Sequence, residues 1–186
     1  MAATAVMLAE RPFTAIRITD IARASDIAQP NFYTYFNTID DVVLALAQEI
    51  SFEDLTRHLE PDWAGEAGVD HAARLVDAII EMWRLHRGVL SIIGYLAERG
   101  ASAFATVRVA HMRPIYKGFE DKVRRSQAAG RLPTQIKPRV AGYECVSLLT
   151  SVGERYELLR ASGFSHDDLK GTTARLLHLI AMGGKG

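Results

Sequence analysis

Residues 17–36, RITDIARASDIAQPNFYTYF, constrain the fold more than any other part of the chain. Apolar side chains at Ile18, Ile21 and Ala22, and again at Phe32, Tyr35 and Phe36, give two short runs of helical period. Only ASDIA lies between them, too little for a loop of any size. Two short helices joined this tightly predict a helix-turn-helix, whose second helix is shaped to enter a DNA major groove. Asp26 falls at the sharp turn, where a left-handed backbone is expected; Gly is the usual residue there, and Asp tolerates it better than most. Ile27 is expected to plug the space between the helices. Pro30 opens the second helix, where its missing N–H costs nothing. Phe32, Tyr35 and Phe36 are expected to anchor that helix to the core. This leaves Gln29, Asn31, Tyr33, Thr34 and Asn37 facing out. Gln and Asn can pair with the N6/N7 edge of adenine, and Tyr and Thr hydroxyls bond phosphate oxygens. The bland alternative is a helical hairpin inside a larger all-α core.

The stretch MLAERPFTAIRITDIARASDIAQPNFYTYFNTIDDVVLAL, residues 7–46, resembles the DNA-binding domain of the TetR family of one-component transcriptional repressors. LAERPF resembles the end of helix one, ITDIARASDI helix two and the turn, QPNFYTYF the recognition helix, and NTIDDVVLAL the start of helix four. The Arg11-Pro12 pair and the Pro30–Phe36 run are closest to the actinobacterial branch that includes the repressor controlling ethionamide sensitivity. The resemblance implies an all-α, TetR-like fold. A three-helix helix-turn-helix domain, shortened in its first helix, is expected over residues 1–40, and a ligand-binding and dimerisation bundle over 41–186. The DNA contacts implied are Arg17, Thr19, Gln29, Pro30, Asn31, Tyr33, Thr34, Tyr35 and Asn37.

The chain departs from that pattern at several phosphate-binding or capping positions. Arg17 stands where the family has Ser or Thr capping helix two. Ala28 replaces the Ser that caps the recognition helix, a loss of about 1 kcal/mol of capping. Gln29 and Ile39 stand where a basic residue is common. Residues 1–50 carry three basic side chains (Arg11, Arg17, Arg23) against six acidic ones (Glu10, Asp20, Asp26, Asp40, Asp41, Glu49), a net −3. Since phosphate neutralisation supplies most non-specific DNA affinity, weak backbone binding is expected. In the family, helix one starts earlier and follows a basic arm. Met1 falls inside that expected helix, so upstream residues carrying Lys or Arg are expected in the native protein.

Bulk properties agree with a cytoplasmic regulator without requiring one. The 186 residues balance 22 basic against 22 acidic side chains, so the total charge points to neither nucleic acid nor membrane. No apolar run approaches the roughly eighteen residues that span a bilayer. The start lacks the basic n-region of a signal peptide. Cys145 is the only cysteine, which rules out an internal disulfide.

Past residue 37 the chain reads as helices throughout. Helix four is expected from Asp40 to near His58, capped by Thr38 and ending before Pro61. PDWAGEAG, residues 61–68, reads as a linker. A long amphipathic helix then stops near Gly88, and Val89–Glu98 forms a separate short one. Phe104–Gln127 reads as a helix kinked at Pro114. Residues 128–138 are rich in breakers. Val140–Arg160 and Leu169–Met182 complete the set, the last opened by Ser165 with Asp167 and Asp168 in its first turn.

Small and apolar residues at helical spacing on the last two helices, Gly142, Val146 and Gly153 with Leu169, Thr173, Leu176 and Ile180, suit a homodimer interface. Packing within a monomer explains the periodicity as well; the resemblance favours the dimer, and with it a pseudo-palindromic operator whose half-sites lie about 34–36 Å, or a multiple of that, apart. The middle helices are rich in bulky side chains. Met82, Trp83, Ile93, Leu96, Phe104, Val107, His111, Ile115, Tyr116, Phe119, Tyr143 and Leu149 are the candidate walls of a chamber for a small hydrophobic or aromatic effector. For any one of them plain core is the alternative. His111, Tyr116, Tyr143 and Glu154 are the polar groups able to orient a ligand.

An enzyme is disfavoured. None of the six histidines has Glu three residues before it, as a di-iron bundle requires. There is no H-E-x-x-H, C-x-x-C or G-x-S-x-G. No cofactor or metal is expected. Cys145 reads as a small apolar packer, with a redox sensor as the alternative. The remaining rival is a helical ligand- or protein-binding dimer whose DNA binding is weak or lost.

Overall fold

A computed structural model describes residues 2–183, with side chains from Thr4 onward. The described residues are all-α, with no strand. They form two compact units, residues 1–51 with 85–110 and residues 52–84 with 111–186.

The first unit opens with α1 (Ala2–Glu10), a 3-10 turn at Phe13–Ala15, α2 (Ile18–Ala24), α3 (Gln29–Phe32) and α4 (Ile39–Glu49). Arg17, unable to cap as Ser would, is compensated by Asp20, whose carboxylate accepts the Arg17 backbone N–H at 3.0 Å. Asp26 takes φ +52°, the only positive φ at a non-glycine among the described residues. The turn closes as the Ile27 N–H donates to the Ala22 carbonyl at 3.0 Å. Ala28 flanks α3 with no side-chain cap, and Pro30 sits in its first turn. Thr38 and Asp41 form a reciprocal capping box on α4: the Asp41 N–H donates to Thr38 Oγ1, and the Thr38 N–H to Asp41 Oδ2.

Three helix boundaries differ from expectation. Helix four stops at Glu49, and α5 (Glu53–Arg57) is a separate helix. Ile50 and Phe52 are both buried. The break between them lets each side chain be buried separately. The expected linker ends early, because α6 begins at Gly65. It then runs to Glu98 as one element bent at His86 (φ −118°, ψ 15°), where the sequence predicts two helices with a break near Gly88. The next helix, α7 (Ser102–Ala128), carries Pro114 inside it.

The second unit is organised by α5, the first part of α6, the second part of α7, α8 (Pro138–Ala161) and α9 (His166–Met182). Its centre is Trp63, fully buried. The indole N–H donates to the His58 carbonyl at 3.0 Å, and the Trp63 carbonyl accepts from His178 Nε2 at 2.8 Å. Its ring meets Phe119 edge-on at 5.6 Å. The first turn of α6 passes so close that a Cβ on Gly68 would lie 1.8 Å from the Trp63 carbonyl oxygen. A second tie joins α6, α8 and α9: Asp77 faces Lys170 and His166, and His166 Nδ1 meets the Tyr156 hydroxyl at 2.9 Å. Ser165 caps α9 by accepting the Asp168 N–H at 3.0 Å.

Lys122 is the one buried cation in this core among the described residues. Its Nζ donates to the Pro61 carbonyl at 2.7 Å and lies 4.7 Å from the centre of the Trp63 ring. Burial, reinforced by Arg125 and opposed by Asp62, pulls its ammonium down to about 8. Cys145 is also buried, and burial pushes its thiol up to about 12. A covered thiol with little thiolate fits the reading of Cys145 as an apolar packing residue.

This packing has two measurable consequences. The unfolded Lys122 ammonium titrates near the ordinary 10.5 and the folded one near 8, so between those values the unfolded state holds the extra proton and stability rises with pH. Urea midpoints of wild type should carry that rising component, and Lys122→Met should lack it. Relieving the left-handed strain with Asp26→Gly should raise stability by about 0.5–1 kcal/mol, whereas Asp26→Val should lower it by about 1–2 kcal/mol in thermal unfolding.

Candidate nucleic-acid interface

The recognition segment is held by few groups and leaves many free. Phe32 is 2% exposed and is its deep anchor. Phe36 lies beside it at 5.8 Å between ring centres, and Tyr33 meets it edge-on at 5.7 Å. The α-helical part ends at Phe32 and continues as turns, with the Tyr35 N–H donating to the Phe32 carbonyl at 3.0 Å. Gln29, Pro30, Asn31, Tyr33, Thr34 and Asn37 are all exposed. Arg17 and Thr19, at the start of α2, are exposed too. The geometry therefore presents amides, hydroxyls and a guanidinium outward from a scaffold fixed by a single buried phenyl ring.

Two anchoring expectations are corrected. Tyr35 is 78% exposed, so it does not anchor the helix. Phe36, four residues after Phe32, takes the place beside that ring, and the helix ends before Tyr35 can fold back. Ile27 is 38% exposed and does not fill the space between the helices. A cavity of about 190 Å³ remains there, lined by Ser25, Ile27, Phe32 and Tyr35 among others.

The electrostatic balance of this unit includes a contribution from outside the first fifty residues. Residues 85–110 bring Arg87, Arg99 and Arg108 against the single acid Glu98. All three arginines are exposed, with Arg99 lying 5.4 Å over the Tyr95 ring and Arg108 3.9 Å from Glu98. The unit thus holds six basic and seven acidic side chains, a net −1 where the first fifty residues alone give −3. No local pattern could have found this, because the stretches meet only through the fold. Their contact is close: a Cβ on Gly88 would come within 2.6–2.7 Å of the backbone at Leu8 and Ala9 in α1.

The candidate effector walls are distributed over both units. Ile93, Leu96, Phe104 and Val107 belong to the first; Met82, Trp83, His111, Ile115, Tyr116, Phe119, Tyr143 and Leu149 belong to the second. Met82, Ile93, Phe104, Ile115, Phe119 and Leu149 are buried, and Trp83, Leu96, Val107, His111 and Tyr116 are half-buried. Tyr143 is the exception: it is exposed on α8, its ring stacked on Tyr116 at 5.9 Å. Among the polar candidates, Glu154 is exposed. His111 stacks on Phe52 at 4.6 Å, and burial lowers its pKa, which favours a neutral ring.

The small residues expected at an interface serve the subunit's own packing. A Cβ on Gly153 would meet the Trp83 ring at 2.4 Å, and one on Gly142 would meet the Tyr116 carbonyl oxygen at 3.0 Å. Val146 and Thr173 are buried as well. These four positions therefore present almost no surface to a partner, because helices of the same chain already fill the space beside them. Leu169 and Ile180 are partly covered, Ile180 against a cluster that includes Val123, Leu132 and Ala141. Leu176 alone of the seven is exposed. The exposed apolar side chains of α8 and α9 are instead Val140, Tyr143, Leu158, Leu176 and Leu179.

Comparison with known proteins agrees with this geometry at both ends of the chain. Residues 1–46 match the family model described as bacterial regulatory proteins, tetR family. Residues 55–186 match the one described as tetracyclin repressor-like, C-terminal domain. No curated protein matches the chain. Among the described residues no helix is long and apolar enough to cross a membrane. A helix-turn-helix with an exposed polar outer face at the N-terminus, and an all-α C-terminal region matched over most of its length, make this chain a member of the TetR family of transcriptional regulators, with its DNA-binding part at the N-terminus.

Proposed function

We propose that this protein is a repressor that binds a pseudo-palindromic operator as a twofold dimer and is released by a small, largely hydrophobic or aromatic effector. The observation carrying this reading is the outward display of Gln29, Asn31, Tyr33 and Thr34 from a short segment anchored by buried Phe32. Those side chains are suited to base edges and phosphates, while the anchor keeps their register fixed. In this reading residues 1–40 form the DNA-binding head and 41–186 the ligand-binding and dimerising part. The Arg11-Pro12 pair and the Pro30–Phe36 run support a place near the ethionamide-sensitivity branch.

Pairing through α8 and α9 is supported by apolar side chains they leave exposed outside any cleft, Val140, Tyr143, Leu158 and Leu176. The effector is assigned to the side chains of the middle helices, with neutral His111 and Tyr116 as polar groups among apolar neighbours. Release requires the effector to bind the DNA-incompetent dimer better than the competent one. The second reading, a ligand- or protein-binding dimer without operator binding, is favoured by one observation, the acidic excess of the head.

Fluorescence anisotropy with a duplex from the gene's own upstream region, read at two salt concentrations, separates the two. The repressor reading expects specific binding, with a salt slope well below that of a protein making about 6–10 phosphate contacts. Equal affinity for a scrambled duplex sinks it. In the same assay Tyr33→Phe should lose about 1 kcal/mol of DNA affinity, and unchanged binding removes its hydroxyl from the contact set. Asn31→Ala should cost about 1–3 kcal/mol on the preferred sequence and little on others; equal losses everywhere contradict base reading.

A further inference from the structure

A cleft of about 640 Å³ opens in the second unit between the start of α6, the α7–α8 connection and the end of α9. None of the candidate effector walls lines it. Its apolar lining is Val69, Leu179 and Met182, with Ala64 beside them. Arg131, Arg175, His178 and Glu66 supply its polar groups. A cleft of this size, mostly apolar with a few charged groups, has the character of a small-molecule site.

The walls are tied to one another. His178 Nε2 donates to the Trp63 carbonyl, fixing the segment before Ala64 to α9. Ser126 Oγ donates to Met182 Sδ at 3.5 Å, joining α7 to the end of α9. Gln127 Nε2 donates to the carbonyls of Pro133 and Ile136, bracing the connection that carries Arg131. The backbone of these walls is therefore held before a ligand enters, which lowers part of the ordering cost of binding.

Charge selects the ligand class. The guanidinium of Arg131 has no ion pair among the described residues. Arg175 is only loosely engaged by Glu66, at 3.9 Å with both side chains well exposed. Among the described residues that line the cleft, two arginines against one carboxylate leave a single net positive charge over an apolar floor. We infer that this cleft binds a small monocarboxylate with an apolar body, its acid group at Arg131 and Arg175 and its body against Val69, Leu179 and Met182. The site is separate from the effector region, and its occupancy does not depend on operator binding.

Methyl-detected NMR of the full chain, without DNA, tests this with three probes: octanoate, octan-1-ol and acetate. Octanoate should bind saturably and shift the methyls of Val69, Leu179 and Met182. Octan-1-ol should bind about tenfold more weakly, having lost the charge-assisted hydrogen bonds. Acetate, with no apolar body, should not saturate. Arg131→Gln, at an exposed position that leaves the core intact, should bring octanoate down to the level of the alcohol. Glu66→Gln, which frees Arg175, should tighten octanoate about threefold, the effect of one exposed ion pair. Octan-1-ol binding as well as octanoate, Glu66→Gln weakening it, or shifts confined to methyls such as those of Ile93 and Ile115 would each overturn the assignment. Loss of operator binding would leave all of these readouts unmoved.

Discussion

The second unit depends on one buried indole. Trp63 lies in a segment too rich in breakers to be helical, and its side chain enters the core while Glu60, Asp62 and Ala64 around it are exposed. A non-helical stretch packed onto a core carries backbone groups that need partners. Trp63 supplies the arrangement that meets this need: its N–H binds the His58 carbonyl, and its own carbonyl is taken by His178 from α9. Its ring also receives Phe119 and the ammonium of Lys122, which in turn binds the Pro61 carbonyl. Three carbonyls of one short segment are thereby satisfied by side chains, two of them contributed by other helices. Gly68 is the corollary, since no side chain fits between the start of α6 and the Trp63 carbonyl.

The head obeys a different logic, in which the same few residues define the turn and free the outer face. Asp26 makes the sharp reversal, and Phe32 and Phe36 hold the recognition segment beyond it, so the amides and hydroxyls along that segment have nothing to do but face solvent. Arginines from residues 85–110 offset part of the acidic excess in the same compact unit. The contact of Gly88 with the backbone of α1 brings α6 onto the head, two residues beyond the bend at His86.

Much of this is legible in the chain, and the pattern of agreement is informative. The left-handed Asp26, the uncapped Ala28, the Thr38 cap and the Ser165 cap with Asp168 in its first turn all read directly from neighbouring residues. The departures have another origin. Tyr35 and Ile27 have the right periodicity for burial, yet one ring from Phe36 and an unfilled cavity decide their exposure. The small residues of α8 have the right spacing for an interface, yet Trp83 and the Tyr116 backbone already occupy that face. Helix four looks continuous in sequence, yet it stops at Glu49, with buried Ile50 and Phe52 in the break before α5.

By itself the sequence settled which residues cap α4 and α9, which turn joins the two short helices, and which polar side chains the second can offer. Each of these rests on hydrogen bonds and steric limits acting within about four residues, so the neighbouring letters contain the information. Tertiary structure alone decided which apolar faces were spoken for, that Lys122 is buried under an indole, and that distant arginines join the acidic head. Those outcomes are competitions for the same space and the same partners between residues far apart in the chain, and one strand of letters does not record who stands next to whom.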